Sequence, residues 1–331
     1  MSGWEIREEW SGCSRRTEAV QRTDFHKCTS MLTIFAIPKP FRGHIGMIQR
    51  NAIRSLTLLR PRPQIMLFGN EEGVAEVALE FELQHVPAVS CNEFGTPLLS
   101  DVFRLAGRLA ENPTQCYVNA DIVVRGDFTK AVGMTSSKLE RFLIVTKRIN
   151  LDVMEAMDFS DGWEQTLKEK VAAKGVPDSH RAIDIFAFSE GIYAELPPFA
   201  IGRMWFDQWL IKAAVMAHAP VVDVSLVAPV VHQNHEYAHT GGREEIFDSE
   251  EGRRNFRFYQ AAPHSFTLLS ATHELTRSCK LRRLRFRKSA FRAKHLAWEM
   301  LVRKTFPLRK RLGLQRRVWT SYRSKATHQP D

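Results

Sequence analysis

Short apolar runs alternate with stretches of helical apolar spacing through the first part of the chain. An uninterrupted run of about four to eight apolar residues is typical of a buried strand, and a stripe at three- and four-residue spacing is typical of a helix packed on one face. The predicted strands are residues 32–37, 64–68, 85–89 and 116–118, and the predicted helices between them are residues 45–59, 72–82 and 98–110. This alternation predicts an α/β fold with a mainly parallel sheet and helices on both faces.

The alternation becomes less regular after residue 127. The elements predicted beyond it are strands at residues 143–145 and 183–188, a helix at residues 204–217 and a last strand region at residues 221–231. A basic run at residues 277–325 is interleaved with Leu, Phe and Trp, and this pattern predicts a helical extension.

Charge divides the 331 residues unevenly. The net charge is +10, but residues 277–331 hold 18 of the 47 Lys and Arg residues and only two of the 37 acids, so this tail carries +16 and the rest −6. We therefore expect a poorly ordered leader (1–30), one catalytic domain (31–276) and a basic tail (277–331). The tail composition favours a helix lying on an anionic membrane surface, and the alternative is a solvated extension packed on the acidic body.

Cysteine usage and hydropathy predict a location in the cell. Five scattered cysteines without a C-x-x-C pair favour a reducing cytoplasm over a disulfide framework. We expect no secretory signal in the polar first 30 residues and no transmembrane helix. The protein is thus predicted to be cytoplasmic, with a peripheral position at the inner membrane face if the tail binds lipid.

The tripeptide Asn119-Ala120-Asp121 is the first candidate for chemistry. It follows a predicted strand, and open α/β sheets bind ligands at the carboxyl ends of their strands. A carboxylate there can hold a divalent cation that neutralises a diphosphate. The alternative is a loop aspartate that caps a turn.

The second candidate is the segment from His232 to His239, which contains three histidines and a glutamate directly after an apolar run. Converging imidazoles can bind a metal, and on a helix His232, His235 and His239 would share one face. The spacing differs from H-E-x-x-H, and a polar surface loop is the alternative.

Two further segments could contact a substrate. In residues 197–209, a Gly-Arg turn leads into a predicted helix that bears Trp205, Asp207 and Trp209. Aromatic faces with a nearby carboxylate suit a sugar, and a Trp-rich core helix is the alternative. The loop after the first strand carries Lys39 and Arg42, whose charges could meet nucleotide phosphates. The chain contains no G-x-G-x-x-G motif and no P-loop.

Taken in order, these segments resemble glycosyltransferases of the GT-A, nucleotide-diphospho-sugar transferase type. The matching segments are residues 37–41, 66–69, 95–99, 117–122, 184–188, 198–209 and 231–235, which together cover about residues 31–260. The resemblance implies a GT-A-like fold and an enzyme that moves a sugar from a nucleotide-diphosphate donor to a carbohydrate or lipid-linked acceptor.

The resemblance also implies the donor and metal site. Asp121 would be the metal-binding acid of the D-x-D motif, with Mn2+ or Mg2+ on the donor diphosphate, and Asn119 stands where the first acid would be. His232 would complete the metal site, with His235 as the alternative. The predicted donor-binding residues are Pro38, Lys39, Arg42, Asn119 and Asp121.

On the acceptor side, the resemblance implies that Asp207 is the general base that removes the acceptor hydroxyl proton. Arg203 and Trp205 would shape the acceptor pocket, and Asp184 is a further acceptor-side candidate.

Two other functions stay open from the sequence. One is a sugar-nucleotide nucleotidyltransferase, although the loop after the first strand reads Pro-Lys-Pro-Phe-Arg rather than Gly-rich. The other is a non-catalytic protein that binds an anionic surface through its tail; nucleic acid is disfavoured as a partner because no recognised binding module accompanies the charge.

Overall fold

The computed structural model describes residues 32–235, 249–261 and 266–284. The predicted leader, His239 and most of the basic tail lie outside these ranges, so the membrane-surface expectation stays a prediction.

The described residues form two β-sheets. The strands are β1 (Leu32–Ala36), β2 (Gln64–Phe68), β3 (Gln84–Val86), β4 (Thr114–Val118), β5 (Ile122–Val123), β6 (Leu143–Val145), β7 (Arg148–Leu151), β8 (Val176–Pro177), β9 (Ile185–Ser189), β10 (Val221–Asp223), β11 (Val230–Gln233), β12 (His273–Leu275) and β13 (Leu281–Arg283). Nine of them form a central sheet in the order β13-β12-β10-β6-β9-β4-β1-β2-β3. The other four form a small sheet in the order β5-β11-β7-β8.

The central sheet is mainly parallel, as the sequence predicts. Strands β3, β2, β1 and β4 run parallel to one another, and so do β6, β10 and β12. Strand β9 lies between β4 and β6 and is antiparallel to both. The start of β9 therefore lies at the same edge of the sheet as the end of β4, which brings residues 119 and 184 together.

Helices cover both faces of the central sheet, again as predicted. The described helices are α1 (Gly43–Thr57), α2 (Val74–Glu80), α3 (Leu99–Leu109), α4 (Gly126–Ser136), α5 (Trp163–Lys174), α6 (Phe206–Met216) and α7 (Glu250–Tyr259). Buried residues of α1, α2 and α4 pack with Leu32, Ile34 and Ala36 of β1 in one core. Residues of α3 and α6 pack with Phe35 on the opposite face. A strand covered on both faces reads as a continuous apolar run, which is why β1 was recognisable.

The end of the described chain corrects two predictions. The strand region predicted at residues 221–231 is two strands in different sheets, β10 and β11, because a turn at residues 224–229 separates them. The predicted helical tail begins instead with β13, which pairs antiparallel with β12 and closes one edge of the central sheet. The body therefore extends past the predicted boundary at residues 276/277.

Across the described ranges, the structure contains no helix that is both long and apolar enough to cross a membrane.

Candidate active site

Four separate segments meet at one edge of the central sheet. Lys39 follows β1, the tripeptide from Asn119 to Asp121 follows β4, Asp184 precedes β9, and His232 lies on β11 of the small sheet. The edge is the carboxyl end of the parallel strands β1 and β4, where open α/β sheets place their ligands. The sequence prediction that Asp121 lies at a strand end is correct.

Asp121, His232 and His235 form a compact cluster. The Nε2 atom of His232 lies 3.6 Å from Asp121 Oδ2, and Nε2 of His235 lies 3.0 Å from the same oxygen. One ligand atom from each residue lies within 4.8 Å of the other two. The predicted meeting of Asp121 with His232 is therefore present, and His235, named as its alternative, joins them.

The two histidines do not share a helix face. His232 lies on strand β11, where it pairs with Ile122 of β5 and Asn150 of β7, and His235 follows the strand. The helical reading of this segment is therefore wrong for its described part. The convergence arises from the strand register and from the turn that follows it.

Gln233 fixes the histidine segment to the rest of the site. Its backbone N–H donates to the Asp121 carbonyl (3.3 Å), and its side-chain amide donates to the Asp121 and Ile48 carbonyls (3.1 and 2.7 Å). Its side-chain oxygen accepts from Asn51 of α1 (2.9 Å). Gln233 is fully buried, so these bonds replace its hydration and hold β11 against α1.

The charges of the cluster suit a cation. Burial raises the pKa of Asp121, but the hydrogen bond from His235 and the charges of both histidines and Lys39 outweigh it and hold that pKa below its usual range. Burial also lowers the pKa of His232, and Arg148 lowers it further, against the attraction of Asp121. At neutral pH the cluster therefore presents an ionised carboxylate beside a neutral imidazole.

Asn119 and Asp184 lie next to this cluster and are hydrogen-bonded to each other. The side-chain amide of Asn119 donates to Asp184 Oδ1 (2.8 Å), and its backbone N–H donates to the Asp184 carbonyl (2.9 Å). Arg148 donates to the other carboxylate oxygen of Asp184 (2.9 Å). Asp184 is 8% exposed, so its charge is balanced inside the protein, and an acceptor contact by Asp184 stays a prediction.

A second chain of polar contacts runs from Arg148 to His232 and was not predicted from the sequence. Arg148 binds Asp178 (2.7 Å), and the Asn150 amide donates to the same Asp178 oxygen (3.0 Å). The Oδ1 atom of Asn150 lies 3.0 Å from His232 Nδ1. No local motif marks these three residues, because only the pairing of β7 with β8 and β11 brings them together.

The carboxyl group of Asp207 has a raised pKa. It lies in the first turn of α6. Burial raises its pKa, backbone N–H groups including that of Gln208 lower it, and the charge of Asp184 raises it, with a net value of about 7. Its Oδ1 atom is buried and has no hydrogen-bond partner within the described part of the chain. A carboxyl with a pKa near neutrality can exchange a proton at physiological pH.

Arg203 and Trp205 have structural partners in the same region. Arg203 forms an ion pair with the buried Glu251 of α7 (2.7 Å). Trp205 is 1% exposed and packs between Phe256 and Tyr259, with ring centroids 5.0 and 5.6 Å away. The structure thus gives Trp205 a place in the core, which supports the alternative of a core tryptophan over a sugar-stacking surface.

The residues of the loop after β1 differ in their exposure and in their partners. Pro38 is buried, Lys39 is exposed, and the charge of Lys39 acts on Asp121. The backbone of Lys39 is held by Gln49 of α1 through two hydrogen bonds of 2.7 and 2.8 Å. Arg42 points to the surface, where it pairs with Glu72. Lys39 is therefore the cation of this loop that acts on the cluster.

Among known proteins, only solved structures show similarity to this chain in the comparisons made. No protein-family model matches the chain, and a search of curated proteins finds no match. The structure is similar to glucosyl-3-phosphoglycerate synthase from Mycobacterium tuberculosis in complex with Mn2+, UDP and glucosyl-3-phosphoglycerate, with 11% identity, a TM-score of 0.43, and coverage of 69% of this chain and 77% of that chain.

Two other solved structures are similar to this one, with comparable identities and TM-scores. TarS 1-349 of S. aureus in complex with UDP-GlcNAc has 11% identity, a TM-score of 0.43, and coverage of 69% of this chain and 70% of that one. The mannosyltransferase PcManGT from Pyrobaculum calidifontis in complex with GDP-Man and Mn2+ has 13% identity, a TM-score of 0.40, and coverage of 64% and 59%.

Proposed function

We propose that the protein is a glycosyltransferase that moves a sugar from a nucleoside-diphosphate donor to an acceptor hydroxyl, with a divalent cation on the diphosphate. The observation that carries the proposal is the convergence of Asp121, His232 and His235 at the ligand-binding edge of the sheet. Asp207, whose pKa is about 7, feels the charge of Asp184, which lies next to this cluster. The resemblance of the sequence to GT-A glycosyltransferases points to the same activity.

The donor set fits Mn2+ or Mg2+. It offers one carboxylate and two imidazoles, and imidazole is a ligand that first-row transition ions such as Mn2+ accept more readily than Mg2+ does. Asp121 Oδ1 is buried and has no hydrogen-bond partner among the described residues, which is costly unless a bound group satisfies it. A bound cation would neutralise the negative charge that develops on the departing diphosphate.

The protein's own groups would supply the other functions. The ammonium of Lys39 acts on the same space as Asp121 and would stabilise a phosphate oxygen. Asp207 would accept the proton of the attacking hydroxyl, because a base with a pKa near the working pH is largely unprotonated and still basic enough to take the proton. Arg148 and Asn119 bind the Asp184 carboxylate, and the charge of Asp184 raises the pKa of Asp207.

Binding experiments test the metal and donor together. We expect Mn2+ with one of a panel of UDP-, GDP-, dTDP- and CMP-sugars to raise the melting temperature, since a ligand at about 100 times its Kd stabilises the native state by about 2.7 kcal/mol. Asp121→Ala should remove the shift. Glu111→Ala changes an exposed acid at the opposite edge of the sheet and should leave the shift unchanged.

Turnover decides between transferase and nucleotidyltransferase. We expect release of nucleoside diphosphate from the stabilising sugar nucleotide, faster with an acceptor and lost in Asp121→Ala and His232→Ala. Pyrophosphate release from a nucleoside triphosphate and a sugar phosphate would overturn the proposal, and so would full transfer activity in both variants.

A further inference from the structure

We propose that Asn150 is a positioning residue that accepts the Nδ1 proton of His232, so that Nε2 is the ring nitrogen that faces the cation site. The inference rests on the proposed function for the identity of the ligand but not for the state of the imidazole. Asn150 is neither a metal ligand nor a predicted site residue, and it acts only through His232.

The small sheet arranges the residues in one row. Asp121 precedes β5, His232 lies on β11, Asn150 lies on β7, and Asp178 follows β8, in the spatial order of the four strands. His232 is the register partner of both Ile122 and Asn150. Each polar group in the row therefore contacts the next across one strand spacing.

The orientation of the Asn150 amide follows from its partner on the far side. Asp178 accepts hydrogen bonds from Arg148 at 2.7 and 2.9 Å, which keeps it ionised. An ionised carboxylate is acceptor-only. The Asn150 group at 3.0 Å from Asp178 must then be the NH2, because an amide oxygen there would face a carboxylate oxygen. Burial raises the pKa of Asp178, and the bonds from Asn150 and Arg148 lower it to about 2, so the carboxylate persists at all working pH values.

The same argument determines which ring nitrogen of His232 carries the proton. With its NH2 directed at Asp178, Asn150 presents its oxygen to His232 Nδ1 at 3.0 Å. An amide oxygen only accepts, so Nδ1 carries the proton and donates it. A neutral imidazole has one N–H, which leaves a lone pair on Nε2. That lone pair is directed at the side where Asp121 Oδ2 lies, 3.6 Å away.

The arrangement explains why a cation suits the site. A lone pair and an ionised carboxylate oxygen 3.6 Å apart repel each other unless positive charge lies between them. Partners that orient a ligating histidine through its other nitrogen also strengthen metal binding, typically by about 10- to 100-fold in affinity. The chain from Arg148 through Asp178 and Asn150 therefore prepares His232 before any metal arrives.

The first test reads the imidazole directly in the metal-free protein. Long-range 1H–15N NMR at pH 8 distinguishes the two neutral tautomers of His232. We expect the Nδ1–H form in the wild type, and its loss in Asn150→Leu, where the acceptor is missing. An Nε2–H form in the wild type, or an unchanged tautomer in Asn150→Leu, would overturn the inference. Asn150→Ala replaces Asn150→Leu if the leucine variant does not fold.

The second test measures Mn2+ affinity by calorimetry. We expect Asn150→Leu to weaken binding about 10- to 100-fold. Asn112→Leu is the matched control, because Asn112 is also half-buried and donates to Thr33 far from the cluster. Equal affinities for Asn150→Leu and Asn112→Leu would overturn the inference. Absence of Mn2+ binding in the wild type would count against the proposed function, while the NMR result would still decide the tautomer.

Discussion

Asp207→Asn should stabilise the protein at neutral pH and leave its stability near pH 4 unchanged. Burial raises the pKa of this carboxyl from 3.8 to about 7 in the folded state, and the charge of Asp184 contributes to the rise. The unfolded chain restores an ordinary value, so between about pH 4 and pH 7 the folded state binds more protons than the unfolded state. Stability must therefore fall as pH rises through this window.

The magnitude follows from the same values. A rise from 3.8 to about 7, at about 1.36 kcal/mol for each pH unit, corresponds to about 4 kcal/mol of lost stability above pH 7. Asparagine keeps an oxygen that can accept from the backbone N–H groups at the start of α6 but carries no charge. The substitution should thus recover a large part of that loss at pH 8 and none of it below pH 4.

Urea unfolding followed by tryptophan fluorescence at pH 4, 5, 6, 7 and 8 measures the effect as a difference between variant and wild type. Asp161→Asn removes an exposed carboxylate in the loop before α5 and serves as the control. A difference for Asp207→Asn that stays constant across the series, or that grows toward acid pH, would refute the assignment of a raised pKa to Asp207.

Three further predictions follow. With the stabilising donor and its acceptor, Asp207→Asn should lower kcat by about 100- to 10,000-fold and abolish the fall of the wild-type rate below about pH 7; steady-state rates from pH 5 to 9 check this, and an intact acid limb in the variant would contradict it. Arg148→Met should cost about 3–5 kcal/mol in urea unfolding, because it leaves Asp178 and Asp184 without their shared cation, and a loss below 1 kcal/mol would show that their charges are solvated. A chelator should remove the donor-induced rise in melting temperature in the wild type but leave the donor-free melting temperature unchanged, and a donor shift that survives chelation would show that binding needs no metal.

The sequence predicts those parts of the fold whose local pattern is strong. The fully buried strands β1, β2 and β4 and the amphipathic helices α1 and α3 appear close to their predicted bounds. Both faces of these strands are covered, so their apolar runs are uninterrupted. Helices α4 and α5 were not predicted, and α5 buries only Leu167, so it carries little apolar periodicity to detect.

The candidate site could be predicted only in part. Asp121 was found because it follows a strong strand, and His232 because histidines cluster there. Asn150 lies on the four-residue strand β7, and Asp178 follows the two-residue strand β8; local patterns are short in both. Their roles depend on strand pairing and on the charged group that each one contacts: Asp178 for Asn150, and Arg148 for Asp178. These contacts exist only in the folded chain.

Because β11 lies between β5 and β7, the cluster of Asp121, His232 and His235 can form only after a late segment of the chain has been made. Asp121 and His235 are 114 residues apart in sequence, and only the insertion of β11 joins the two flanking strands into one sheet. A nascent chain that has not yet delivered residues 230–233 lacks both imidazoles and the strand that unites the small sheet. The cluster thus assembles late in synthesis, after most of the central sheet has been made.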